Sequence, residues 1–190
     1  MGEGVRPLLA SLDRLARLMR AGEHAEGLNP AQWQALRYLS RANRFSNSPG
    51  ALARYLGATK GTVSQTVLAL TRKGLVRRSQ RPGEGRSVVL TLTPKATDIL
   101  SRDPWARLER AAGELGGKTR RRLGKGLAQL LDEEIARSSL PSFGPCASCR
   151  FFRENGRSAD PAGPHHCMFL DEALTAADAA LICAEHEAPA

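Results

Sequence analysis

The chain has 190 residues, 42% hydrophobic and 25% charged, with a formal net charge of +9 and four cysteines. That is enough for one medium domain plus an appendage, and no apolar run approaches the ~20 residues a helical membrane span requires. The charge is uneven: residues 141–190 hold three Arg against seven Asp or Glu, a net of −4, so the first 140 carry +13. A basic body with an acidic tail implies a polyanionic partner for the body alone. The N-terminal stretch lacks the basic, apolar and small-residue pattern of a secretory leader, so the expected location is the cytoplasm. There clustered cysteines serve as metal ligands more often than as structural disulfides.

In chain order, Leu8, Leu9, Leu12, Leu15, Leu18 and Met19 recur at helical spacing, with Arg14, Arg17 and Arg20 opposite. Asn29-Pro30 is a cap followed by Pro at the first helical position, opening a helix with Trp33, Leu36 and Leu39 on its apolar face. Residues 41–48 are mostly polar and read as a loop. Ser48 caps a short helix from Pro49 to Leu56, ended by Gly57. A further helix opens at Ala58 or Thr59 and runs to about Lys73, burying Val63, Val67, Leu68 and Leu70. Thr59, Lys60, Thr62, Ser64, Gln65 and Thr66 remain on its outer side. Two helices joined by a short Gly-containing turn, the second presenting small polar and amide side chains, form a helix-turn-helix.

Residues 75–78 and 87–92 have strand composition, and 79–86 reads as a long hairpin tip bearing Arg81 and Arg86. A basic hairpin after a recognition helix is a wing. Thr93-Pro94 starts another helix, which Asp103-Pro104 kinks or restarts. Trp105, Leu108, Ala112 and Leu115 continue its apolar stripe. After Gly116-Gly117 the last long helix, about 118–138, aligns Leu123, Leu127, Leu130, Leu131 and Ile135. The expected fold is therefore mainly α with a small β wing (α+β). It divides into a winged-helix and dimerisation unit over 1–138, a Pro- and Gly-bearing linker over 139–145, and a Cys-rich module over 146–190.

Leu28-Asn29-Pro30-Ala31-Gln32-Trp33-Gln34-Ala35-Leu36-Arg37-Tyr38-Leu39, Leu52 to Leu75, Gly74-Leu75-Val76-Arg77-Arg78 and Val89-Leu90-Thr91-Leu92-Thr93-Pro94-Lys95-Ala96 carry a resemblance. In their order and spacing they resemble the MarR family of bacterial winged-helix regulators, over residues 5–138. The resemblance implies a homodimer joined by its N- and C-terminal helices, with two recognition helices in successive major grooves of a pseudo-palindromic operator in double-stranded DNA. It also implies a small-molecule effector in the crevice between the winged helix and the dimer helices. Arg86 fits the family's wing arginine, although the local stretch here is Gly83-Glu84-Gly85-Arg86. Independently of family, Arg72, Lys73, Arg77, Arg78, Arg81 and Arg86 surround the motif and can neutralise phosphates. Ser64 and Gln65 are the candidates for base edges, Gln pairing bidentately with adenine.

All four cysteines lie in the last quarter, as Cys146-x2-Cys149-x17-Cys167-x15-Cys183. A C-x2-C pair lets two sulfurs reach one metal from a single turn, and two distant cysteines complete four-thiolate coordination. Thiolate softness narrows the occupant to zinc or an iron–sulfur centre. The string resembles that of the high-potential iron–sulfur proteins, without their aromatic residue near the last cysteine. Phe151, Phe152 and Phe169 can shield a cluster from water, so a 4Fe–4S cluster is preferred to Zn2+. His165, His166 and His186 flank the ligands as substitutes or supports. The expected function is a dimeric repressor, not an enzyme, whose affinity for DNA follows the state of this centre by movement of the module against the long helices. The rival reading is a regulator responding to a small ligand or oxidant, with a purely structural zinc. A redox or electron-transfer protein comes third, because no catalytic constellation accompanies the cysteines.

Overall fold

The structure, a computed structural model, describes residues 4–81, 84–138 and 140–189. Helix α1 spans Val5–Ala21, and a 3-10 turn (Ala25–Gly27) leads to α2, Pro30–Arg41. The Asn29 side chain accepts from Gln32 N while the Gln32 side chain accepts from Asn29 N, a reciprocal box that satisfies two orphan donors at the start of α2. Ser48 and Thr59 cap α3 (Pro49–Leu56) and α4 (Lys60–Arg72) by one bond each, their hydroxyls accepting from Ala51 N and Thr62 N. Between them Gly57 sits at φ 59, a left-handed conformation that a Cβ would strain, and its N–H closes the end of α3.

Strands β1 (Val76–Arg81) and β2 (Glu84–Leu92) pair antiparallel from Val76↔Leu92 outward, with a register shift between Gln80 and Arg81. The wing is thus longer than its Gly and Pro content suggests: ladder pairing continues through residues expected in a loop tip. Helix α5 (Pro94–Ser101) is capped by Thr93. Asp103-Pro104 marks a restart rather than a kink, and α6 occupies Ala106–Glu114 before α7, Gly117–Ser138.

The main core gathers Leu28, Trp33, Leu36, Tyr38, Leu52, Val63, Val67, Leu70, Leu75, Val76, Leu90, Ala96 and Ile99. Leu68 is only half-buried. Glu23, just past α1, and Asp103, at the α5–α6 joint, both bind Arg37 in the middle of α2. The guanidinium lies 3.9 Å from the centroid of the Trp105 ring. Burial works to lower the Arg37 pKa, but hydrogen bonds to Asp103 and Glu23 outweigh it and raise the value. By contrast α1, α6 and α7 bury none of their residues. Leu8, Leu9, Leu15 and Leu18 of α1 and Leu123, Leu127, Leu130 and Leu131 of α7 stand exposed.

The C-terminal module is small and irregular. Strand β3 (Gly144–Pro145) pairs with β7 (Ile182–Cys183), and β4 (Phe152–Arg153), β5 (His165–Cys167) and β6 (Glu172–Leu174) form a second sheet. Between β6 and β7 lies α8, Ala176–Ala180, held by a Thr175–Asp178 capping box. The module is docked on the winged helix. Ala184 is part of the main core, and Phe143 and Ile182 pack against it. Phe143 meets Tyr55 and Tyr38 edge-on at 5.1 and 6.3 Å between ring centroids.

Candidate nucleic-acid interface and thiol cluster

Helix α4 owes its exposed face to simple periodicity. Val63, Val67 and Leu70 point into the core, which turns Lys60, Ser64 and Gln65 outward. Ser64 and Gln65 are exposed and project from the middle of the helix. The three threonines differ in role. Thr59 Oγ1 caps the helix at Thr62 N and meets Thr62 Oγ1 at 2.9 Å, and Thr66 Oγ1 donates to Thr62 O. Their hydroxyls therefore hold the helix's own first turns. Lys60 and Arg72 lie at its two ends, Lys60 exposed.

Of the basic residues expected around the motif, Lys73 is engaged elsewhere: its ammonium donates to Gly27 O and to Gln32 Oε1, tying α4 to the start of α2. Arg77 and Arg78 are exposed on β1. Arg81 and Arg86 fall on the paired strands, but both of their side chains lie outside the described residues, as do Pro82 and Gly83 altogether.

The four cysteines are free thiols. Cys146, in a 3-10 turn (Cys146–Ser148), and Cys183, on β7, are buried with Leu174 and Ala179; Cys167 and Phe152 pack against them. Cys146 and Cys183 hydrogen-bond to each other, which divides their acidities. That bond and burial raise Cys146, whereas the same bond lowers Cys183 to about 6 against the cost of its burial, with help from the Glu185 backbone, Asn43 and Ser46. Cys149 ends the turn and its sulfur accepts from Glu187 N at 3.5 Å. The amide of Asn43 donates to Cys146 Sγ at 3.4 Å.

In kind, these donors suit a soft metal: Cys146, Cys167 and Cys183 border one small core, and the sulfurs of Cys146 and Cys149 receive N–H hydrogen bonds of the sort that tune thiolate centres. Among the described residues, no three His, Cys, Asp or Glu side chains stand together in an arrangement that holds a metal ion. The histidines are turned to other partners. Both ring nitrogens of His186 meet hydroxyls, Ser142 at 2.9 Å and Ser148 at 3.0 Å. His165 accepts from Asn155 N, and His166 bonds Asp171, which with Arg157 holds that carboxyl below its usual range.

Sequence reasoning missed Asn43 and Ser46. Both lie in the polar 41–48 stretch, yet they are 0% and 1% exposed. No spacing signal marks them, because the module partners of their side chains, Cys146 and Ala184, are more than a hundred residues away. The Glu23–Arg37–Asp103 triad is equally silent in the sequence.

A helix-turn-helix with an exposed second helix and a two-stranded ribbon behind it defines a winged-helix protein. Residues 26–87 match the model of the MarR family, and the N-terminal part of the chain has the winged helix-turn-helix fold. Among solved structures, a mutant of MepR from a multidrug-resistant S. aureus clinical isolate is similar, with a TM-score of 0.57 at 18% identity over 70% of this chain and 99% of its own. Another S. aureus MepR mutant gives 0.56 at 16% identity over 70% and 98%. A MarR transcriptional regulator from Methanosarcina mazei Go1 gives 0.55 at 19% identity over 71% and 99%. Each is matched nearly end to end, while a substantial part of this chain has no counterpart in it. No curated protein matches the sequence. Among the described residues, no helix is long and apolar enough to cross a membrane.

Proposed function

We propose that this chain is a dimeric, sequence-specific DNA-binding transcriptional regulator, acting as a repressor. Its affinity for DNA is set by a centre held on Cys146, Cys149, Cys167 and Cys183. The observation that carries the DNA half is α4: a capped helix anchored by Val63, Val67 and Leu70 that presents Ser64 and Gln65 beside a basic ribbon. Dimerisation through α1 and α7 accounts for their bare leucine faces, since a second copy covers both stripes at once. The cysteine reading rests on donor chemistry and on the convergence of Cys146, Cys167 and Cys183. A 4Fe–4S cluster or a zinc ion would bring these sulfurs together and complete a core that so short a module cannot build alone.

Two measurements test this. Gln65→Ala should lose about 1–3 kcal/mol of discrimination at one base pair of a duplex selected from a random library, and wild-type affinity should fall steeply with salt. Binding that ignores both would reject DNA reading by α4. Anaerobic purification with elemental analysis and an absorption spectrum tests the centre: a brown, iron- and sulfide-bearing protein supports the cluster, stoichiometric zinc in a colourless one supports the metal ion, and neither rejects the ligand set.

A second reading has its own support. An open cavity of about 600 Å³ lies between α2, α3, α7 and the module, lined by Arg41, Arg54, Tyr55, Leu131 and Phe143 among others. An anionic, partly apolar effector suits it, and in that case the cysteines would serve a purely structural zinc.

A further inference from the structure

Asn43 is the buried polar side chain that neither the DNA-reading face nor the core explains. Its carboxamide orientation is fixed at one end, where Oδ1 accepts from Phe45 N at 3.1 Å. The other end must then donate, and Nδ2 meets Cys146 Sγ at 3.4 Å. The backbone around it is clamped to the module as well: Asn43 N donates to Ile182 O at 2.9 Å, and Ser46 Oγ accepts from Ala184 N at 2.8 Å. Arg44 reaches Ala173 O, and Arg54 of α3 pairs with Glu185. In the other direction, Tyr38 Oη donates to Ser46 O, Asn47 O accepts from Leu90 N of the wing at 2.7 Å, and Ser48 caps α3. The module thus grips the loop that leads into the helix-turn-helix.

We infer that Asn43 is the positioning residue through which the thiol cluster acts on the DNA-reading half, its amide following the sulfur of Cys146 and carrying loop 43–48 with it. The inference rests on the reading of the four cysteines as a ligand set. A buried N–H with no water to turn to stays with its acceptor, because leaving it unpaired is costly. Ligation fixes the Cys146 sulfur in one place, and loss of the ligand frees it. Asn43 converts that difference into a held or a loosened loop, a short step in the chain before the wing contact at Asn47 and the cap at Ser48.

The test uses the full chain and Zn2+ alone as the probe, with three readouts: zinc stoichiometry, amide hydrogen exchange over 43–48, and affinity for a duplex selected from a random library. In the wild type, loading should slow exchange in the loop about tenfold or more and shift DNA affinity by about 5–150-fold, the usual range of allosteric coupling. Asn43→Asp keeps the acceptor for Phe45 N but lacks the donor, and Asn43→Ser is a second, smaller replacement. Both should still take up zinc while loop exchange and DNA affinity respond less than about twofold. Equal loop responses in wild type and both variants would overturn the role of Asn43, as would a wild-type loop indifferent to bound zinc. A loop that responds while DNA affinity stays constant would instead reject regulation by the centre and leave the Asn43–Cys146 contact standing. Absence of any zinc uptake would remove both.

Discussion

Replacing Arg37 by methionine should be among the most damaging single changes in the chain. The Arg37 side chain is 7% exposed, and it neutralises Glu23, 1% exposed, and Asp103, 15% exposed. Glu23 Oε2 already lacks a hydrogen-bond partner among the described residues, so no spare donor stands ready to take the cation's place. Methionine preserves most of the packing over Trp105 but leaves two carboxylates in a poorly hydrated site. Breaking a buried ion pair by removing one partner costs about 3–5 kcal/mol. The lost stacking on Trp105 adds about 0.5–2 kcal/mol, part of which the thioether returns. For a chain of this length each kcal/mol moves the melting temperature by about 2–4 °C, so the drop should be roughly 6–20 °C. Urea unfolding followed by circular dichroism and by the fluorescence of Trp33 and Trp105, both beside Arg37, measures it directly. The triple replacement Glu23→Gln, Arg37→Met, Asp103→Asn should regain most of the loss, because it removes the stranded charges as well. An Arg37→Met protein within about 0.5 kcal/mol of the parent, or a triple variant no better than the single one, would refute the electrostatic account.

Gly163 sits at φ +148, and a Cβ there would fall 2.3 Å from the carbonyl carbon and oxygen of Leu174. Gly163→Ala should therefore loosen the module by at least about 1–3 kcal/mol. The readout is faster modification of Cys146 and Cys183 by a thiol reagent, and unchanged labelling rates would count against it. Leu127→Arg combined with Leu130→Arg places charges on the bare face of α7, where both leucines are exposed. Light scattering should report a monomer with unaltered helicity, and DNA affinity should fall by about 10²–10⁴-fold as the two half-sites are no longer held together. A persistent dimer would place the subunit contact elsewhere.

The helices of the N-terminal half were legible because their signals are local. Asn29, Ser48, Thr59 and Thr93 each close a hydrogen bond to a residue three positions on, and periodicity decides which face of α4 is wet. The partners of Lys73 are silent in the sequence for the opposite reason: its charge suggests phosphate, while Gly27 and Gln32, which it binds, are supplied by a turn and helix start far upstream. The wing ribbon overran its expected tip because pairing between strands, which single-strand composition does not register, carries Arg81 and Glu84. The cysteine string announced a shared site, but nothing in residues 41–48 announced that this polar stretch would be sealed beneath the module. Asn43 and Cys146 are neighbours only through tertiary packing, and the same is true of Arg37 and Asp103.

Ala184 fills a place in the main core between residues made far earlier in the chain. During synthesis the winged helix consequently leaves the ribosome with that place vacant, and with Tyr38 and Tyr55 still waiting for Phe143. A shortened chain ending at residue 138 would retain every recognition residue and still be born with an unfinished interior. Order of translation thus makes the arrival of the cysteines a precondition for a finished reader, whatever they bind.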